Sequence, residues 1–139
     1  MEAGAKLQVT TSGPVVAILP ALTIPTTDDV GLSGSVRGIS SFDLSDTARF
    51  TAVLGVRATE DGSEVRGETV AIVEGAVSDL LSVYGEFGAY PGEGETPLLL
   101  GGGASILMAP GFYIDGFVDF GLTEAAPEVI AGGGLSLRL

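Results

Sequence analysis

The stretch GFYIDGFVDFGLTEAAPEVIAGGGLSLRL, residues 111–139, decides the fold class. In its first half Phe112, Ile114, Gly116, Val118, Phe120 and Leu122 fall on one face of an extended chain, and Tyr113, Asp115, Phe117, Asp119 and Gly121 fall on the other. After a short acidic link containing a proline, Val129, Ala131, Gly133, Leu135, Leu137 and Leu139 share a face opposite Ile130, Gly132, Gly134, Ser136 and Arg138. Each run keeps a period of two for about ten residues, the length a tilted strand needs to cross a bilayer. The pair predicts a hairpin of an antiparallel β-barrel.

The same period runs back through the chain in roughly nine segments, 3–11, 15–24, 31–41, 48–59, 65–77, 80–90, 97–108, 112–122 and 129–139, separated by turn signals. The links alternate in character. Those at 11–14, 42–46, 77–79 and 109–111 are tight, whereas 25–29, 59–64, 91–95 and 123–128 are longer and acidic, the asymmetry of an outer-membrane barrel. The longer links carry Asp28, Asp29, Glu60, Asp61, Glu64, Glu93, Glu95, Glu124 and Glu128 without a Lys or Arg, which makes one mouth of such a barrel negative. The expected fold is all-β: an antiparallel up-and-down β-barrel of about 8–10 strands, transmembrane type, in a single domain spanning residues 1–139.

Composition agrees. The mean hydropathy is +0.47 with 17% charged residues, yet no apolar run is long enough for a membrane-spanning helix, so the apolar residues must be spread over short strands. With no Cys and no His, disulfides and thiolate or imidazole metal sites are excluded. A net charge of −12 argues against nucleic acid, since nothing here displaces phosphate counterions. No basic region and apolar core of a signal peptide follow Met1, so an outer-membrane location presumes a mature or engineered chain.

The phase of the charges is the next signal. All six basic residues fall inside predicted strands. Arg49 and Arg57 alternate with Phe50, Ala52, Leu54 and Val56; Arg66, Glu68 and Glu74 oppose Val65, Ala71 and Val73; Tyr84 and Glu86 oppose Val83 and Phe87. If the apolar face meets lipid, Arg37, Arg49, Arg57, Arg66, Glu68, Glu74, Glu86, Asp115 and Asp119 line the lumen as a charge ladder, with Tyr84, Tyr113 and Phe117 as aromatic filler. Arg49, Arg57 and Arg66 are then expected to neutralise Glu68, Glu74 and Glu86 across adjacent strands. If the apolar face is instead a core, the same charges form the solvated exterior of a soluble barrel. Periodicity does not separate inside from outside. Two features favour lipid: the nearly bare polar face of 97–108, with Leu99, Gly101, Gly103, Ser105 and Leu107, and the 22 glycines, which permit the close approach and curvature of a small closed barrel.

Three segments carry a resemblance. Residues 15–27 (VVAILPALTIPTT), 80–91 (LLSVYGEFGAYP) and 120–127 (FGLTEAAP), the last followed by the glycine-rich terminal strand, resemble the outer-membrane channel family linked to the meta pathway of phenol degradation. The GLT-x-x-AP motif is the most specific piece. The resemblance implies a β-barrel transporter or porin-like protein passing hydrophobic or aromatic compounds. Members are typically longer, end on an aromatic residue and carry interfacial tryptophans; here the last residue is Leu139 and tryptophan is absent, which fits a truncated or designed relative.

The residues give little to an enzyme. Without His or Cys, the common nucleophile and base arrangements are missing, and a Ser-Lys pair would rest on Lys6 alone. Asp115 and Asp119 are roughly 13 Å apart along one strand, too far for a carboxylate pair. Asp28-Asp29 and the acids of 60–64 lack the spacing of a calcium loop, and Gly101-Gly102-Gly103 opens no helix that could cradle a phosphate. No cofactor or metal is expected.

The expected function is therefore a porin-like or channel-like barrel for passive passage of small compounds, hydrophobic ones included, with a lipid bilayer or detergent as its partner. A soluble or designed barrel scaffold, holding at most an apolar ligand, is the alternative. An odd strand count would be met either by an incomplete first strand or by closure through a homo-oligomer.

Overall fold

A computed structural model of the protein describes residues 2–10, 13–24, 32–59 and 64–137. Asp28, Asp29, Glu60, Asp61, Arg138 and Leu139 lie outside the described residues. The elements are β1 (Glu2–Gly4), β2 (Leu7–Gln8), β3 (Val15–Thr23), β4 (Ser33–Asp43), β5 (Ala48–Thr59), β6 (Val65–Ala76), β7 (Leu81–Ala89), β8 (Leu98–Ala109), β9 (Phe112–Gly121) and β10 (Val129–Leu137). They form one antiparallel sheet in the order β1-β3-β4-β5-β6-β7-β8-β9-β10, with β2 also on β3. Among the described residues no ladder joins β10 to β1–β3, so the expected barrel is not closed and the strands form one open sheet.

The first strand is broken for a chemical reason. β1 and β2 share one register on β3, with Glu2 opposite Thr23 and Leu7 opposite Ile18. Between them Ala5 N–H donates to the Pro20 carbonyl at 3.1 Å, but Pro20 has no N–H to return. Lys6, expected inside a strand, therefore sits in the gap between two short pieces. At the opposite extreme the β8–β9 link is tight because Pro110 presets the turn and Gly111 adopts φ 77°, as a type II turn requires.

Register settles which side chains share a face. Ile18, Pro20 and Leu22 align with Gly38, Val36 and Gly34, and the same row continues through Leu54 and Val56 to Val73, Val83, Phe87, Leu100, Ile106, Ile114, Val118, Phe120 and Leu135. Among the described strand residues this face carries no charged side chain. It is also the exposed face: Leu54 is 64% exposed, Phe120 51% and Leu135 72%. The opposite face holds every described strand charge whose side chain can be placed, and it holds the buried residues too: Ala17, Ser35, Val70, Gly88 and Asp119. Among the described residues no large side chain is fully buried. The sheet thus curls around its charged face and turns its apolar face out, the reverse of a soluble sheet.

Replacing Pro20 by Ala restores the missing donor. Hydrogen exchange at the Ala5 and Leu7 amides is expected to slow roughly fivefold, about 1 kcal/mol for one net backbone bond. Unchanged exchange would assign the break to something other than the proline.

Candidate functional site

The candidate site is the charged face. All of Arg37, Arg49, Arg57, Arg66, Glu68, Glu74, Glu86, Asp115, Asp119, Tyr84, Tyr113 and Phe117 lie on it, because every ladder pairs them with one another or with residues of the same row. Their partners differ from those expected of adjacent strands. Arg37 Nε donates to Glu68 Oε2 at 2.7 Å, with the two side chains only 19% and 22% exposed. These residues are two strands apart and meet above Gly55, where a Cβ would stand 3.0 Å from Arg37 Cγ and 3.4 Å from Glu68 Oε2. Arg49 Nε bonds Asp43 Oδ1 at 2.8 Å, while Glu74 stands opposite Arg49 in the ladder. Arg66 pairs with Glu64 at 3.1 Å, in the open. Arg57 faces Ser35 on one side and Arg66 on the other. The charged neighbour of Glu86 is Asp119, a second carboxyl across Gly101, rather than an arginine.

Glycine makes this arrangement fit. Glu86 on β7 and Asp119 on β9 flank Gly101 of β8, and a Cβ there would collide with Asp119 Oδ1 and the Val118 carbonyl. Gly103 lies beneath the Tyr84 ring, Gly132 beneath Phe117, Gly134 beneath the Asp115 carboxylate and Gly88 beneath Tyr90. Tyr84, Phe117 and Asp115 therefore lie across a neighbouring strand, and Tyr90 folds back over its own. Covering a strand glycine with an aromatic ring also offsets the weakness that glycine brings to a sheet. Ser35 Oγ and Asp119 Oδ1 are buried without a hydrogen-bond partner.

Among the cavities that open on this face, two lie at opposite ends of the sheet. At the end of the short turns, a space of about 570 Å³ is lined by Asp43, Asp46, Arg49, Glu74 and Ser82. At the end of the longer links, a space of about 530 Å³ is walled by Arg37, Arg57, Arg66 and Glu68 from β4–β6, by Tyr90, Pro97 and Leu99, and by Ala125 and Pro127. Burial pushes the Tyr90 hydroxyl above the usual tyrosine pKa, and the nearby Glu68, Glu86 and Asp119 push the same way against Arg37.

The link after β9 closes over this second cavity. Leu98 N–H donates to Thr123 Oγ1 at 3.1 Å, and Thr123 Oγ1 donates in turn to the Thr96 carbonyl at 3.2 Å, which stitches two links together. Gly121 has no room for a Cβ beside the Pro127 carbonyl. The GLT-x-x-AP stretch is thus the cover of a mouth. That role was not readable from the strand pattern, nor was the basic belt beneath the acidic links, since both depend on how the links fold back over the sheet.

Comparison with known protein families, curated proteins and solved structures finds no match to this chain.

Two variants test the packing. Gly101→Ala is expected to destabilise by about 1–3 kcal/mol through overpacking. Gly34→Ala, with nothing within 4 Å of the added methyl, should be nearly neutral. Equal effects in denaturant titrations would remove the special status of Gly101. For the charges, a double-mutant cycle on Arg37→Met and Glu68→Gln should give a coupling of roughly 1 kcal/mol or more. The same cycle on the exposed Arg49 and Asp43 should give no measurable coupling, and the reverse ranking would contradict the geometry.

Proposed function

We propose that this chain is an outer-membrane-type β-barrel whose apolar face meets lipid and whose charged face lines a narrow lumen for passive passage of small molecules. One observation carries the reading: the face with no charged side chain is the exposed one, while the charges face inward. Water against such a band is unfavourable in proportion to its apolar area, and hydrocarbon removes that cost.

Further features support it. Strands β3 to β10 run from 9 to 12 residues, against the 9–11 or so of a bilayer-crossing tilted strand. Outward aromatics fall at two levels, Phe42, Phe50 and Phe112 near the short turns and Phe87 and Phe120 toward the longer links, as interfacial girdles do. Phe42 and Phe50 stack with ring centroids 6.2 Å apart. The outer-membrane channel family that three segments of the sequence resemble is built as a β-barrel. Closure would bring β10 to the first strand, β1–β2, and the two run parallel because an even number of antiparallel steps separates them.

The lumen between the two cavities is occupied. Val70, Tyr84, Glu86, Phe117 and Asp119 pack across β6 to β9, with Val70 8% and Asp119 9% exposed. Selectivity then follows from lumen width and the Arg/Glu/Asp lining rather than from chemistry on a substrate.

Three outcomes are expected. The folded protein should be monodisperse only with detergent or lipid; a monodisperse, folded protein in plain buffer would sink the reading. Val118→Arg should cost about 2–4 kcal/mol in a bilayer, and Leu122→Arg, beside the link, much less. Equal tolerance at both sites would count against lipid contact. In planar bilayers conductance should be low, and a large stable pore would overturn the filled lumen.

A further inference from the structure

We infer that the cavity beneath the longer links is a binding site for a small amphiphilic carboxylate. Its lining separates into two halves. Arg37, Arg57 and Arg66 supply three guanidinium groups from three consecutive strands, against the single carboxylate of Glu68. Tyr90, Leu99 and Pro127 form an apolar wall facing them. In a chain of net charge −12 this concentration of positive charge stands out: the cavity at the opposite end has Asp43, Asp46 and Glu74 beside Arg49, and Glu93 and Glu95 come in only at an adjoining space that shares Arg66, Tyr90, Pro97 and Ala125 with this one.

The ladder adds an electrostatic reason for a ligand. Arg57 stands directly opposite Arg66. Like charges so placed repel, and an anion between them converts that repulsion into two charge-assisted bonds. An incoming carboxylate needs no unpaired guanidinium. Each arginine has five donors, and the Arg66–Glu64 bond, with side chains 56% and 60% exposed, exchanges at little cost. Arg37 is already held by Glu68 at 2.7 Å, so its guanidinium is positioned before a ligand arrives.

The ligand class follows from size and polarity. A space of about 530 Å³ lies within the range of small-molecule pockets. An inorganic anion would satisfy the arginines but leave the wall of Tyr90, Leu99 and Pro127 wet. A neutral apolar molecule would cover the wall but offer the three guanidinium groups no charged acceptor. A carboxylate on a short apolar body satisfies both halves.

The test is a titration of the folded, full-length protein with pentanoate, its neutral counterpart pentanamide, and acetate, followed by nuclear magnetic resonance of the arginine Nε–H groups. It requires no bilayer and runs in detergent or buffer, whichever keeps the protein folded, so its outcome is separate from that of the membrane reading. Pentanoate should bind saturably and shift Arg37, Arg57 and Arg66 but not Arg49. Pentanamide and acetate should each bind at least about tenfold more weakly, the loss expected for one charge-assisted bond or for the apolar body. Arg66→Met should weaken pentanoate by a similar factor, and Arg49→Met should leave it unchanged. Equal binding of pentanoate and pentanamide, shifts that include Arg49, or no saturation at any accessible concentration would each overturn the site. Should Arg66→Met fail to fold, the comparison of the three probes on the unsubstituted protein decides alone.

Discussion

A β-sheet that turns a face without charge toward its surroundings cannot be stabilised by water, and every other feature of this protein depends on that. The hydrophobic effect ordinarily drives such a face inward, where it becomes a core. Here the only buried hydrophobic side chains among the described residues are Ala17 and Val70, and both sit on the charged side. A sheet so built has no conventional core to hold it. Its cohesion comes from nearly continuous backbone ladders from β3 to β10 and from what fills the concave side.

That concave side is filled by an uncommon division of labour. Glycines at 55, 88, 101, 103, 132 and 134 leave gaps in the inner surface, and Arg37, Tyr90, Asp119, Tyr84, Phe117 and Asp115 lie across them. These side chains lie over the glycine gaps of the sheet, so its concave side holds large polar and aromatic groups without forcing the strands apart. The same gaps let charges from non-adjacent strands meet, as Arg37 and Glu68 do over Gly55. A methyl at such a glycine would cost packing and also separate an ion pair. Charge is also unevenly spread along the wall: β4–β6 carry Arg37, Arg49, Arg57 and Arg66 together with Asp43, Glu68 and Glu74, whereas β7–β9 carry only the carboxylates Glu86, Asp115 and Asp119. The interior is therefore not a uniform ladder of neutral pairs.

Much of the fold was legible in the sequence, because a period of two is a local property. Val65 to Ala76 or Phe112 to Gly121 could be read as strands, and their two faces separated, without knowing any neighbour. Pro20 was equally visible, and its missing N–H accounts for the break between β1 and β2, although the first segment reads as continuous by alternation alone. The partners of the charges were not legible. Arg57 faces Arg66, and Arg37 rather than an adjacent-strand arginine holds Glu68, because register and the gap at Gly55 fix those distances. The face that turns outward was undetermined for the same reason: alternation has no sign. The mouth cavity lay furthest from sequence, since Tyr90, Leu99 and Pro127 converge only once Thr123 ties two links together.

The central claim concerns what touches the outward face, and spin labels placed singly along β5 test it most directly. With the protein in bilayers, labels at residues 50, 52, 54 and 56 should be relaxed by dissolved oxygen and shielded from a water-soluble nickel chelate, while labels at 49, 51, 53 and 57 should be shielded from lipid-borne oxygen. The account predicts that oxygen accessibility alternates with a period of two, highest at the even-numbered positions. Equal access of the nickel chelate to both sets, or the alternation reversed, would contradict it.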